Sequence, residues 1–237
     1  MSYEKEFKIF STNVEIAAMS FYYLVKIDTE LIKSFEDLPN EEPCSTLYEA
    51  MNSNADFWQH HQHIAKLGFI ITLGRIFDTT NNSYNSQRVL NMATNSDILS
   101  KPRIRERKIA SSENAHTWID QYIAEAHDFS SKDVNELTKY CSTIKHLWDK
   151  DLKDLRNKVY AHQDISKPVF NKVERDVSED IINRLLTIRH ILWEAYTNGK
   201  KPDFAFKDKS VQLRVKKDIT SLLEKITLGF NTQQDVF

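Results

Sequence analysis

Apolar residues return every three or four positions along most of this chain. Over residues 3 to 36, Phe7, Phe10, Val14, Ala17, Ala18, Phe21, Leu24, Ile27, Leu31 and Phe35 form one stripe. That period marks an amphipathic helix with one face turned to a core. Pro39 and Pro43, with Glu41 and Glu42 between them, mark a loop. Residues 45 to 78 predict a second long helix. Gly68 and Gly74 lie inside it, each at a cost of ~1 kcal/mol relative to Ala. Either another helix approaches closely at those points or the helix kinks there.

Residues 79 to 85, T-T-N-N-S-Y-N, predict a loop. A short helix follows from Ser86 to Ala93, and Asn95 to Lys101 lead into Pro102. Residues 113 to 127 predict a helix with Ala115, Trp118, Ile119, Tyr122 and Ile123 on one side. Ser130 or Ser131 can cap the next helix, which runs from about Lys132 to Ala161 through Val134, Leu137, Tyr140, Ile144, Leu147 and Trp148. Pro168 lies just beyond. Ser178, with Glu179 and Asp180, marks the start of a further helix, periodic in Ile181, Leu185, Ile188, Leu192 and Ala195 and stopped at Gly199. Phe204 and Phe206 alternate with other residues, which allows a very short extended piece. Val211 to about Leu228 predicts a last helix, basic near its start, and residues 231–237 read as a frayed end.

Composition agrees with this all-helical reading. Only 4 Gly and 5 Pro occur in 237 residues, far below ordinary usage, so tight turns are few and helices long. The net charge of −2 announces no nucleic-acid binding in bulk, and any such surface must come from a local patch. The best local patch is Lys101 to Lys108, where Lys101, Arg103, Arg105, Arg107 and Lys108 are basic. Such a run is either a solvated helix face or loop, or a holder of a phosphate backbone.

Cys44 and Cys141 are the only cysteines and give neither a disulfide framework nor metal spacing. His60 and His63 stand one turn apart beside His61, but no further ligand accompanies them at recognisable spacing. They read as a solvated or interface face, and no metal is expected. Glu4 and Glu6 interrupt the start of the chain, which excludes a signal peptide. The longest apolar run, near Leu67 to Leu73, is much shorter than the ~20 residues of a membrane span. The expectation is a soluble, cytoplasmic protein.

The remaining chemistry is concentrated in Leu152 to Asp164, L-K-D-L-R-N-K-V-Y-A-H-Q-D. On a straight helix, Leu152, Leu155, Val159 and His162 share one stripe, with Arg156 at its edge. A cation and a titratable imidazole on such a seam can hold an anion such as a phosphate. The alternative is structural: His162 caps the last carbonyls of a helix, and Arg156 is a surface arginine paired with Asp149 or Asp154.

Arg156-Asn157-Lys158-Val159-Tyr160-Ala161-His162 resembles the R-x(4–6)-H signature of the HEPN superfamily (higher eukaryotes and prokaryotes nucleotide-binding domains), in which a polar residue, often Asn, follows the Arg. Leu73-Gly74-Arg75-Ile76-Phe77-Asp78 is similar to a helix segment of the HEPN-like abortive infection proteins of the U type. The pattern covers roughly residues 1–200. The resemblance implies an all-α, antiparallel HEPN-like bundle over residues 1–200, with an inserted basic segment and a helical extension over 201–237 packed on the same domain. It implies a homodimer whose two Arg/His helices line one cleft.

It further implies a metal-independent endoribonuclease of phage-defence or toxin type, without cofactor, in which RNA is cleaved by its own 2′-hydroxyl. His162 would be the general acid/base, Arg156 the phosphate clamp and Asn157 its orienter. Asp78 and Arg75 would support them if the second helix packs beside the motif. Arg103, Arg105, Arg107 and Lys108 would contact RNA. An antitoxin or another protein is a candidate partner. Toxins of this superfamily that are paired with a nucleotidyltransferase often carry Tyr two residues after the His. Here that residue is Asp164, which argues against that form of control. The alternative is a non-catalytic HEPN-like module that binds a protein or nucleotide.

Overall fold

The first stripe folds as the period requires. Helix α1 spans Tyr3–Glu36, and Phe7, Phe10, Val14, Ala17, Ala18, Phe21, Leu24 and Ile27 are all buried along it. The computed structural model describes residues 2–36, 46–78, 85–95, 97–157 and 172–234. Among these, every regular element is a helix and none is a strand, so the protein is an all-α helical bundle. None of the described helices is long and apolar enough to cross a membrane.

The predicted helix over 45–78 is two helices, α2 (Thr46–Asn52) and α3 (Ala55–Phe77). The break follows from polar side chains that compete for the backbone. Ser53 Oγ and Asn54 Nδ2 both donate to the Ala50 carbonyl, at 2.9 and 3.1 Å. α4 spans Ser86–Asn95 and α5 spans Lys101–Ser111. Pro102 is tolerated in the first turn of α5, where its missing N–H costs nothing. The helix expected over 113–127 is a 3₁₀ turn, Ala115–Thr117, followed by α6, Ile119–Glu125.

α7 runs Ser131–Leu147 and is capped by Ser130. Ser130 Oγ accepts from the Asp133 amide, and the Asp133 carboxylate accepts from the Ser130 amide at 2.7 Å. This reciprocal box satisfies donors that the helix start would otherwise leave bare. Residues 158–161 of the predicted run lie outside the described residues, and beyond Leu147 the helix is uneven. It widens into a π turn at Trp148–Leu152, resumes briefly as α8 at Lys153–Leu155, and returns to π spacing at residues 156 and 157. Val159, His162 and Pro168 lie outside the described residues, as do the loop residues 79–84.

α9 spans Lys172–Asn198, six residues longer at its start than the Ser178 cap predicted. Ser178 is interior and fully buried, so it caps nothing. Gly199 does end the helix, at φ +58°, in the left-handed region that Gly enters without penalty. A Cβ there would also stand 2.9 Å from both Ala126 Cβ and Ile104 Cδ1. Phe204 and Ala205 form a turn, with no extended piece. Phe206 stacks on His190 with ring centres 3.6 Å apart. α10 spans Ser210–Gln234.

The chain divides into two compact units of discontinuous sequence. One comprises 1–15 and 72–208, and the other 16–71 and 209–237. In the first, α9 buries Ile181, Ile182, Leu185, Leu186, Ile188, Ile191, Leu192 and Ala195, packing with α7 and α5. Leu137, Ile144 and Leu152 are buried in the same unit. In the second, α10 packs on α2, with Val211, Val215, Ile219 and Leu223 buried. There Phe21 of α1 meets Phe69 of α3 at 5.6 Å, and Gly68 lets Ser20 approach. A Cβ at Gly68 would stand 3.2 Å from Ser20 Oγ. A close approach, the first of the two readings, is what the structure shows at this glycine.

Candidate functional site

The site is assembled where the last turn of α3 meets the irregular stretch after α7, both in the first unit. The π turn inserts an extra residue into the helical spacing, which rotates everything after it by about 100° relative to a straight helix. Trp148 and Leu152, at its two ends, are both buried. Trp148 stacks on Phe77 of α3, with ring centres 5.7 Å apart and planes 25° apart. That contact anchors the turn against α3 just before Arg156 and Asn157.

Arg156 then lies across Gly74. A Cβ on Gly74 would stand 2.8 Å from Arg156 Nε, 3.1 Å from Cδ and 3.3 Å from Cζ. Real Cβ atoms do not approach nitrogen that closely, so with any other residue at 74 the Arg156 side chain would have to shift from this position. The position is also electrostatically favourable. Gly74 belongs to the last turn of α3, where carbonyls without intrahelical partners give the helix end partial negative charge. Arg156 and Asn157 are half-buried. Asp149, a partner proposed for Arg156 in the structural reading, is bonded instead to Lys145 and to Lys153, the latter at 3.2 Å.

The structure thus brings Gly74, Arg156 and Asn157 together. Arg75 is exposed beside them, and Asp78 is half-buried just past the end of α3. Asn85, which the sequence reading left among loop residues, organises this end. Its Nδ2 donates to the Asp78 carbonyl, its Oδ1 accepts from the Arg88 amide at 2.8 Å, and it is 6% exposed. Asn85 is therefore the cap of α4 as well as a tie to α3, and its place directly before Ser86 was the available signal. Ser86 Oγ adds a bond to the Ile76 carbonyl at 3.2 Å. His162 lies outside the described residues.

The basic run on α5 is placed differently. Arg103 pairs with Asp97 and Glu106 at 3.3 and 2.8 Å, and Arg105 with Asp120 at 2.6 Å. Arg107 donates to the Tyr196 carbonyl at 2.7 Å and lies 3.9 Å over the Tyr196 ring. Burial pulls its guanidinium below the ordinary arginine value. Lys108 donates to Asn198 Oδ1 at 3.2 Å and faces the Tyr122 ring. These last two cations therefore hold the C-terminal turn of α9, where the helix dipole is negative. No group of three or more His, Cys, Asp or Glu side chains arranged to hold a metal occurs among the described residues.

A family model described as AbiU2, of the HEPN domains, matches residues 14–214. The chain belongs to this HEPN family. The match takes in α3, with its Gly74, and the Arg156-Asn157 stretch, so both halves of the site fall inside the AbiU2 region. No curated protein and no solved structure matches the chain.

Elsewhere in this AbiU2 domain, the capping box of α7 recruits a histidine. His127 Nε2 stands 3.0 Å from Asp133 Oδ2, which Ser130 Oγ also reaches at 2.6 Å. Burial raises the Asp133 carboxyl, but the bonds from Ser130 and His127 outweigh it and hold the group below the usual range. All three donors converge on the carboxylate rather than forming a Ser–His relay, so this trio braces the start of α7 and activates no nucleophile.

Proposed function

We propose that this AbiU2 protein is a metal-independent endoribonuclease of the phage-defence or toxin class, acting as a homodimer. The observation that supports it is the seating of Arg156 on Gly74. A guanidinium pressed against a helix end in a half-buried site is a fixed, permanently charged donor set for phosphoryl oxygens. Asn157, next in the chain, orients the phosphate or the arginine. His162 takes the 2′-hydroxyl proton or protonates the leaving 5′-oxygen, the general acid/base role open to an imidazole. The guanidinium stabilises the charge growing on phosphorus-bound oxygens. Two chains meeting at a twofold axis supply two imidazoles and two guanidiniums, enough for acid, base and clamp. Arg75 on α3 and Asp78 just past its end support the clamp. Arg103 and Arg105, with side chains 46% and 41% exposed despite their ion pairs, are the members of the basic run assigned to outer RNA contacts.

The second reading is a non-catalytic helical module that binds a protein or nucleotide. It is favoured by the way Arg107 and Lys108 are spent on α9 rather than on a ligand. Incubation with tRNA and total RNA in EDTA separates the two. The nuclease reading expects cleavage that leaves 2′,3′-cyclic phosphate ends and is lost in His162→Ala. Absence of cleavage on any RNA, or equal cleavage by both proteins, sinks it.

A further inference from the structure

An uncommitted feature outside the Arg156 site is a cleft of about 610 Å³ between the start of α1 and the second half of α9, both in the first unit. Its size is that of a small-molecule site. Five rings line it: Tyr3, Phe7, His190, Trp193 and Tyr196. Phe7 and Trp193 lie nearly parallel, with centres 5.9 Å and planes 22° apart. Tyr3 packs on Tyr196 at 4.9 Å. Tyr3 and Phe7 are buried and form a fixed base, whereas Trp193 is 48% exposed. A large ring left wet over a packed aromatic base is a stacking platform with an open face.

The charges of the lining select among ligands. Glu4 accepts from the Tyr196 hydroxyl at 2.6 Å. Asp208 is held by Arg189 at 2.7 Å. Both carboxylates are therefore engaged within the protein. Lys8 is exposed at the rim, and no ion pair of Lys8 occurs among the described residues. Ser11 and Thr12 stand three and four residues further along α1 and also line the cleft, so the three groups share one helix face.

We infer that this cleft binds a flat aromatic ring carrying an anionic group, the ring stacked on Trp193 and the anion held by Lys8 with the Ser11 and Thr12 hydroxyls. The anion can be a carboxylate or a phosphate, since an ammonium serves both. None of these residues belongs to the Arg156 site, so the inference stands or falls independently of the nuclease reading.

The test is calorimetric titration of the full chain with benzoate and with adenosine monophosphate. Benzamide, adenosine, acetate and inorganic phosphate are the comparison ligands, and tryptophan emission is followed in parallel. A charged ring is expected to saturate the protein and to bind about tenfold more tightly than its neutral counterpart and than the ring-free anion. Lys8→Gln should weaken it about tenfold and bring it level with the neutral ring. Trp193→Leu, at a half-exposed position and with its fold checked by circular dichroism, should abolish the emission change and the heat. Saturation by benzoate alone assigns a carboxylate, by adenosine monophosphate alone a phosphate, and by both the shared chemistry. The inference is overturned if neither saturates by about 10 mM. It is equally overturned if neutral rings bind as well, or if both substitutions leave binding unchanged.

Discussion

Replacing Gly74 by alanine separates the stability of α3 from the placement of Arg156. The three heavy atoms nearest to the added Cβ all belong to the Arg156 side chain, the closest at 2.8 Å. An ordinary contact requires about 3.4 Å, so the side chain must yield by roughly 0.6 Å or leave its rotamer well, at ~0.5–1.5 kcal/mol. Against this, Ala in a helix interior is favoured over Gly by ~1 kcal/mol. Gly74→Ala is therefore expected to change stability by less than about 1 kcal/mol in the native background. In an Arg156→Ala background, where nothing needs to move, it should stabilise by the full ~1 kcal/mol. Urea denaturation of the four proteins of this cycle measures the difference directly, as a coupling of ~0.5–1.5 kcal/mol. Cleavage of RNA by Gly74→Ala should fall by about 10- to 100-fold, because a clamp displaced by a fraction of an ångström loses its alignment. Additive stabilities would show that Gly74 does not serve Arg156. A large loss of stability in both backgrounds would show that the glycine is needed by backbone packing instead.

Asp133→Asn should cost about 1 kcal/mol by weakening the cap of α7. Because the folded-state value of Asp133 is depressed, its contribution is fully present above the unfolded value of ~3.9 and is lost as pH falls through the lower folded value. The stability difference between wild type and variant should therefore shrink only in acid, measured by urea midpoints across that range. Cys141 is buried, and burial pushes its thiol up to about 12. A Cys44→Ser variant should react with a thiol reagent only at the rate of opening, so its modification should accelerate sharply in denaturant. Fast labelling of the native variant at neutral pH would contradict the burial.

The stripe of α1 was legible because each apolar position serves a single purpose, burial, and burial has a period. The end of α9 was legible at Gly199 for a comparable local reason, since a left-handed residue after a helix is most often glycine. The start of α9 was not. Ser178 carries the chemistry of a cap, yet Val173 to Val177 continue the helix in front of it, and the serine is interior. The division between α2 and α3 was missed because Ser53 and Asn54 act on the Ala50 carbonyl through their side chains, a competition that hydrophobic spacing does not register. The basic run on α5 was read by charge alone. Whether a cation faces solvent or a neighbouring helix end depends on the packing of α5 on α9, which no local pattern reveals.

For the candidate site, the residues themselves singled out Arg156 and Asn157 as candidates, and Gly68 and Gly74 as needing an explanation beyond helix propensity. Helix period, scarce breakers and the two motifs sufficed for an all-α HEPN-type chain. Only the tertiary structure decided that Arg156 lies against Gly74, that the chain reaches it through a π turn anchored by Trp148 on Phe77, and that Asn85 ties the end of α3 to α4. The physical reason is range. Periodicity and capping depend on neighbours three or four residues apart, whereas Gly74 and Arg156 are far apart in sequence and meet only once the bundle has closed.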